Sequence, residues 1–494
     1  MFNPAILSDN FKKQISTKSV QTIVECRFPQ TDDIVEILAV YPQASSTSAE
    51  VSSGRVNFGG RLVCTVVYVD DGGKFCRMQK GVEFSHYCDD DIFAPAQTAL
   101  CTLKCEKVTV KRDGSSIVVS AVIGAYIRVY GNVERVYISN VDGAVCKTEN
   151  VNLYSSVTFF GESEVEDDFE ADGVADILAP SAQAFVLRAQ CGSGEVNIEG
   201  EIQLNVLAMR GNSPVSLERV IPFKSVVACE NAAAGENCFC SVEIKDINVT
   251  ATVEEDRGKC RLSVVATLGF CGEFCDGNEV PAVIDAFCSE NKVNVEFTEE
   301  NFALCEGVKT YNERVFGVCA TKSKTDYTCN FKATALPKVE YSYNAQSGMV
   351  EGAVCALLLY EQNGEDKSTE ITLPFAFKLS GEQLDERIAA LLKLSATAVS
   401  LRRKNEDECE AEAIIKIYAT AINEKNCRYA SKISLGESEQ EVNSAISVYI
   451  PSHGDSLWDI AKKLKKTPQE VSACNPDLTF PLTGLERIII YRQK

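Results

Sequence analysis

Alternation of apolar and polar residues with a period of two dominates this chain. In residues 201–208, Ile202, Leu204, Val206 and Ala208 fall on one face and Glu201, Gln203 and Asn205 on the other, the pattern of a half-buried strand. Residues 408–422 (ECEAEAIIKIYATAI) do the same, with Cys409, Ala411, Ala413, Ile415, Ile417 and Ala419 alternating with largely polar neighbours. Residues 62–69 are apolar on both faces apart from Thr65, as expected of a strand covered on both sides. The best helical pattern before residue 440 is GEQLDERIAALLKL at 381–394, where Leu384, Ile388, Leu391 and Leu392 recur at helical spacing. A short amphipathic pattern around Ile6–Ile15 lies in a lead-in, residues 1–18, to which the sequence attaches no function.

The strand patterns repeat. SGRVNFGGRLVCTVVY at 53–68 returns as SGEVNIEGEIQLNVLA at 193–208 and, shortened, as SGMVEGAVCALLLY at 347–360. The copies register on Gly60, Gly200 and Gly352, each followed two residues later by Leu62, Ile202 or Val354. From Tyr68, Ala208 and Tyr360 the next shared landmark is Phe84, Phe223 or Phe375, after 16, 15 and 15 residues, a spacing that fits a hairpin. The glycine is expected at a strand start, as a bulge or close backbone approach. Upstream, DIVEILAV at 33–40 matches GVADILAP at 173–180, since Leu38 to Gly60 and Leu178 to Gly200 are both 22 residues. Downstream, 115–131, 259–274 and 408–422 form a further shared strand block. A closing phrase, DGAVCKTENVNL at 142–153 and DAFCSENKVNV at 285–295, is absent from the third copy, which therefore reads as truncated. The expected organisation is mainly β: three tandem β-rich domains at 19–160, 161–325 and 326–440, then a polar junction at 436–444.

From residue 446 the pattern changes. ISVYIP at 446–451 reads as a strand. Ser456 with Asp459 forms a box-like helix start, and Leu457, Ile460, Ala461 and Leu464 supply the apolar face. Thr467-Pro468-Gln469-Glu470 starts a second helix with a cap, a proline at the first helical position and a glutamate that bonds back. That helix is expected to end near Asn475-Pro476, and Arg487–Tyr491 returns as a strand, giving a small βααβ domain over 446–494.

Charge narrows the functional classes. With 70 acidic and 49 basic residues the net charge is −21, which disfavours nucleic acid and anionic lipid as partners. Eight acids within 162–176 alternate with Val165, Phe169 and Val174 and read as a solvated edge. The first twenty residues lack a basic region followed by a continuous apolar one, and the longest apolar window, Ile117–Ile127, is too short for a bilayer, so a cytoplasmic protein without a transmembrane segment is expected. In a reducing compartment the 22 cysteines act as small buried hydrophobes, and their spacings, with only His86 and His453 beside them, give no paired-ligand pattern for a metal. No phosphate loop, nucleophile elbow or zinc-protease motif is present. His86 stands alone. The expectation is a protein without catalytic residues or cofactor.

HGDSLWDIAKKLKKTPQEVSACNPDL at 453–478 resembles a LysM module through Gly454, Asp455, Ser456, Leu457, Trp458, Ile460, Ala461, Val471, Asn475 and Pro476, while Thr483–Arg487 lacks that family's proline before the last strand. Three β-rich repeats ahead of one LysM resemble the SipL-like sporulation proteins, whose repeats are called SPOCS domains. That resemblance implies a scaffold in the mother cell, recruited to the forespore surface, that binds a coat-basement ATPase of the SpoIVA type and contacts other coat proteins. It places partner binding in the LysM groove, at Gly454, Asp455, Ser456, Leu457, Trp458, Asn475, Pro476, Asp477 and Leu478. The tail is basic, seven positive side chains against five negative, and Lys462, Lys463, Lys465 and Lys466 are positioned to steer an acidic partner. The alternative ligand is peptidoglycan, through its N-acetylglucosamine units.

Overall fold

A computed structural model describes residues 2–29, 34–113, 116–254, 259–321, 329–344, 346–379, 389–404, 408–438 and 446–491. Its first six strands are β1 (Asn3–Phe28), β2 (Ile34–Ser52), β3 (Arg55–Asp70), β4 (Phe75–Asp89), β5 (Thr98–Asp113) and β6 (Ser116–Asp142). They form two antiparallel sheets, β2-β3-β4 and β1-β6-β5. Val56, Leu62 and Cys64 of β3 pack against Val24 and Cys26 of β1, Cys101 of β5 and Val119 and Ile123 of β6, so the sheets close face to face as a sandwich.

The same pattern recurs twice. Repeat 2 comprises β7 (Val145–Glu170), β8 (Val174–Cys191), β9 (Glu195–Arg210), β10 (Ser213–Ala228), β11 (Phe239–Glu254) and β12 (Lys259–Phe287). Its sheets are β8-β9-β10 and β11-β12-β7. Repeat 3 comprises β13 (Asn291–Thr321), β14 (Asn330–Asn344), β15 (Met349–Gln362), β16 (Glu365–Lys378), β17 (Ala389–Arg403) and β18 (Cys409–Ser438). Here pairing of Ala320 and Thr321 with Thr372 and Ile371 joins the two halves into one six-stranded sheet.

Strand registers explain the sequence landmarks. Gly60 lies opposite Phe84, Gly200 opposite Phe223 and Gly352 opposite Phe375. A Cβ on Gly60 would stand 2.5 Å from Phe84 Cζ, and one on Gly200 2.3 Å from Phe223 Cζ, so each ring lies across bare backbone. At Gly352 the crowding comes instead from the Glu340 carbonyl, 2.1 Å from such a Cβ. These glycines sit inside their strands and not at the starts, because a facing ring or carbonyl, not a turn, excludes the side chain. The 22-residue spacing has a different cause. Leu38 is an unpaired bulge between Ile37 and Ala39, and Leu178 one between Ile177 and Ala179. Both bulged leucines turn into a cluster shared by all three repeats, with Val67, Leu207, Ala335 and Leu359. The equivalent bulge in repeat 3 is Lys332, whose ammonium pairs with Asp366 and, at 3.1 Å, with Glu361.

The expected domain limits shift. β1 spans the supposed lead-in and pairs with β6 along its length, because Phe11, Val24, Cys26 and Phe28 need burial that an isolated helix would not give. A cut at 160 would fall inside β7, and β13 belongs to repeat 3, so the closing phrases are the crossings from one repeat to the next. Repeat 3 is accordingly complete. The helix expected at 381–394 is also corrected: Leu391 and Leu392 lie in β17, whose pairing with β18 overrides the helical spacing, while Leu384 and Ile388 lie outside the described residues. The acidic stretch at 162–170 is an edge strand, β7, with alternate side chains in solvent and Asp167 and Asp168 paired to Arg219 and Arg261.

The long strands continue past their sandwiches as two-stranded ribbons, β1/β6, β7/β12 and β13/β18. The ribbons pack on one another through Ile138 and Val141, Val283 and Ala286, and Ala430 and Ile433. Arg135 ties all three together. Its Nε and Nη2 donate to Glu300 Oε2 at 3.0 and 2.8 Å, and Nη2 also donates to the Tyr154 carbonyl at 2.7 Å. Its guanidinium lies 3.7 Å from the Phe11 ring centroid. Each pair of sandwiches is also linked directly. Glu243 accepts from the Ser46 and Leu103 amides, Lys416 pairs with Glu201 at 2.6 Å, and Ser368 Oγ donates to the Leu38 carbonyl.

Candidate functional site

The tail folds as β19 (Ile446–Tyr449), α1 (Leu457–Leu464), α2 (Pro468–Cys474) and β20 (Ile488–Tyr491), with β19 antiparallel to β20. Both helix starts are capping boxes: Ser456 with Asp459, and Thr467 with Glu470 behind Pro468. Ile460, Ala461, Val471, Leu482, Ile488 and Ile490 make a small core.

That core extends into repeat 2. Phe287 packs edge-on against Trp458 with ring centroids 5.2 Å apart, and Val145 packs beside them. Trp458 Nε1 donates to Asp285 Oδ2 at 2.7 Å. Lys462 Nζ donates to both oxygens of the same carboxylate, at 2.7 and 2.8 Å. One face of α1 is therefore seated on the β12/β13 crossing. Trp458 and Lys462, expected to meet a partner, meet the chain's own body. Asp285 and Phe287 were visible as part of a repeated phrase, but nothing in that phrase named the tail as what they hold.

The expected groove loops are also largely occupied. Asp455 accepts from the Ser452 amide at 2.9 Å, the Lys463 ammonium at 3.0 Å and the Tyr449 hydroxyl at 3.1 Å, and the first two hold its carboxyl below the usual range. Asn475 donates to the Val471 and Ile489 carbonyls and accepts from the Ile489 amide at 2.8 Å, fastening the end of α2 to β20. Gly454 has φ +83°, a left-handed turn suited to glycine. Ser456 is the helix cap, while Leu457 and Leu478 pack partly buried against the tail core. Pro476 and Asp477 are exposed. Of the basic cluster, Lys463 is bound to Asp455, Lys465 forms the left-handed C-cap of α1, and Lys466 stands 3.8 Å from Glu470.

Glu486 organises the last loop. Its carboxylate accepts from the Thr483 and Gly484 amides and the Thr483 hydroxyl, chiefly the Thr483 amide, which bring its pKa down to about 2. These bonds tie down the loop that leads into β20. The side chain between them, Leu485, is 87% exposed, and Phe480 is exposed nearby in sequence. On the two-stranded sheet Ile446, Val448 and Tyr491 also face solvent, as does Ile450 just beyond β19. Among the described residues no group of three or more His, Cys, Asp or Glu side chains is arranged to hold a metal ion, and no helix is long and apolar enough to cross a membrane.

Three β-sheet repeats joined through their ribbons, with an α/β appendage docked on a repeat crossing, define a multi-repeat β protein. Residues 174–252, from the start of β8 into β11, match the family model described as SipL, SPOCS domain. Over those residues repeat 2 is therefore similar to the SPOCS domain of the SipL family. No curated protein matches it.

Proposed function

We propose that this chain is a non-enzymatic scaffold of spore coat assembly, acting in the mother cell at the forespore surface. In this reading the LysM-like tail binds a coat-basement ATPase of the SpoIVA type, and the repeats provide a rigid body for it and for further coat proteins. The observation that carries the choice of a protein ligand is the state of the groove. Asp455 and Asn475 spend their polar atoms inside the tail, whereas Leu485, Phe480 and the outer β19/β20 face offer apolar side chains. Glycan recognition draws on polar groups with free hydrogen-bonding capacity, while exposed apolar clusters suit a protein interface. The second reading, peptidoglycan binding, rests on the LysM-like phrase itself.

The two readings separate in one experiment. Purified full-length chain is compared with a chain lacking residues 446–494 for retention of the purified ATPase and of purified peptidoglycan. Loss of ATPase retention with the tail supports the scaffold. Unchanged ATPase retention with lost peptidoglycan retention promotes the glycan reading.

A further inference from the structure

Twenty-two cysteines are free in this structure, and two meet sulfur to sulfur inside repeat 2. Cys191 ends β8 and Cys238 precedes β11, and their Sγ atoms are 3.3 Å apart. Both are buried in the sandwich core. The backbone already holds the two segments together. The Cys191 amide donates to the Glu236 carbonyl at 2.8 Å, the Cys238 amide to the Ala189 carbonyl at 3.0 Å, and Gln190 bridges Asn237. The segment that leads from β10 to Cys238 is exposed at residues 230, 231 and 233–235. Small local openings of such a loop admit small solutes.

We infer that Cys191 and Cys238 are a dithiol site that a small peroxide converts to a disulfide, fastening the end of β8 to the segment entering β11. The thiols lie little more than 1 Å beyond bonding distance, since a disulfide measures about 2.05 Å, so rotation of the side chains is the main movement required. Either sulfur can donate to the other across this contact; with Cys238 as donor the bond holds the Cys191 thiol below its ordinary pKa, so the proposed step takes Cys191 as the attacking sulfur. The Cys191 thiolate attacks one peroxide oxygen; an S–O bond forms, the O–O bond breaks, and the departing hydroxide recovers the thiol proton as water. Cys238 sulfur then attacks Cys191 sulfur; the S–S bond forms, the S–O bond breaks, and hydroxide leaves with the Cys238 proton as a second water. Two sulfurs are oxidised and two peroxide oxygens reduced.

The test uses the native full-length chain, reduced and then exposed to limiting hydrogen peroxide. Accessible thiols are alkylated, and after denaturation the remainder are alkylated with an isotopic label. Peptide mass spectrometry is expected to show Cys191 linked to Cys238, with loss of two hydrogens, before any other linkage. The single variants Cys191→Ser and Cys238→Ser are each checked by circular dichroism. In Cys238→Ser a sulfenic acid trapped by dimedone is expected on Cys191, and in Cys191→Ser none on Cys238. A first linkage between other cysteines, such as Cys26 with Cys64, would overturn the assignment. So would a Cys191–Cys238 pair that stays reduced while exposed thiols oxidise. If neither single variant folds, the wild-type linkage order alone decides.

Discussion

Replacing Arg135 with methionine tests whether the three repeats are held as one body through the ribbons. The Arg135 side chain is 1% exposed and that of Glu300 11%, so the ion pair is shielded from water. Removing the guanidinium leaves the Glu300 carboxylate accepting from the Tyr429 hydroxyl, 2.9 Å away, and strips the Tyr154 carbonyl of a donor. Breaking a buried pair from one side costs about 3–5 kcal/mol, because the surviving charge stays desolvated. Methionine fills much of the volume over Phe11, so the cost is electrostatic and not a cavity. Arg135→Met is therefore expected to lower stability by about 3–5 kcal/mol, read from the urea midpoint by far-ultraviolet circular dichroism. Adding Glu300→Gln removes the orphaned charge and keeps an acceptor for Tyr429, so the double variant is expected to regain about 2 kcal/mol of that loss. A single variant costing less than about 1 kcal/mol, or a double variant no more stable than the single, would refute the buried-hub reasoning.

Gly200→Ala forces a Cβ to 2.3 Å from both Phe223 Cζ and the Phe185 carbonyl, and is expected to cost about 1–3 kcal/mol by overpacking, measured by thermal unfolding. Asp285→Ala removes the shared acceptor of Trp458 and Lys462; the fluorescence of Trp458, the sole tryptophan, should shift to the red while the far-ultraviolet spectrum of the body stays unchanged. An unshifted emission would mean the tail is held by other contacts. Glu486 has its folded pKa depressed to about 2, so its stabilising effect is fully present above the ordinary carboxylate range and is lost as pH falls towards 2. Glu486→Gln should flatten that acid-side loss in an isolated tail-melting signal from Trp458, and an unchanged acid profile would remove Glu486 from the account.

The repeat was legible because its landmarks are local. Gly60 with Phe84 and Gly200 with Phe223 are cross-strand neighbours in a hairpin, so a fixed sequence spacing encodes a fixed contact. The tail was legible for the same reason: caps, a proline at the first helical position and short apolar periods all act within a few residues. The repeat limits were not, because β1 closes on β6 between 89 and 139 residues later, and polar Lys12, Lys13 and Gln14 conceal a strand that is buried at Phe11 and near its end. The residues at 389–394 read as helix from spacing alone, but the strand partner that decides the matter, β18, lies elsewhere in the chain. Asp285 carried no visible sign of Trp458, since a separation of 173 positions leaves no local pattern. At the tail, motif matching singled out Asp455 and Asn475 as groove residues. Their consequence in the structure is to hold loops.

The central claim is that the tail binds a coat-assembly protein through its exposed apolar side chains. Its most direct test is the affinity of the full-length chain for the SpoIVA-type ATPase, measured by titration with Leu485→Asp beside the unaltered protein, once both show the same Trp458 emission. Leu485 is 87% exposed, so its replacement leaves the tail core intact. The account predicts weakened ATPase binding with peptidoglycan retention unchanged; undiminished ATPase binding together with lost peptidoglycan retention would contradict it.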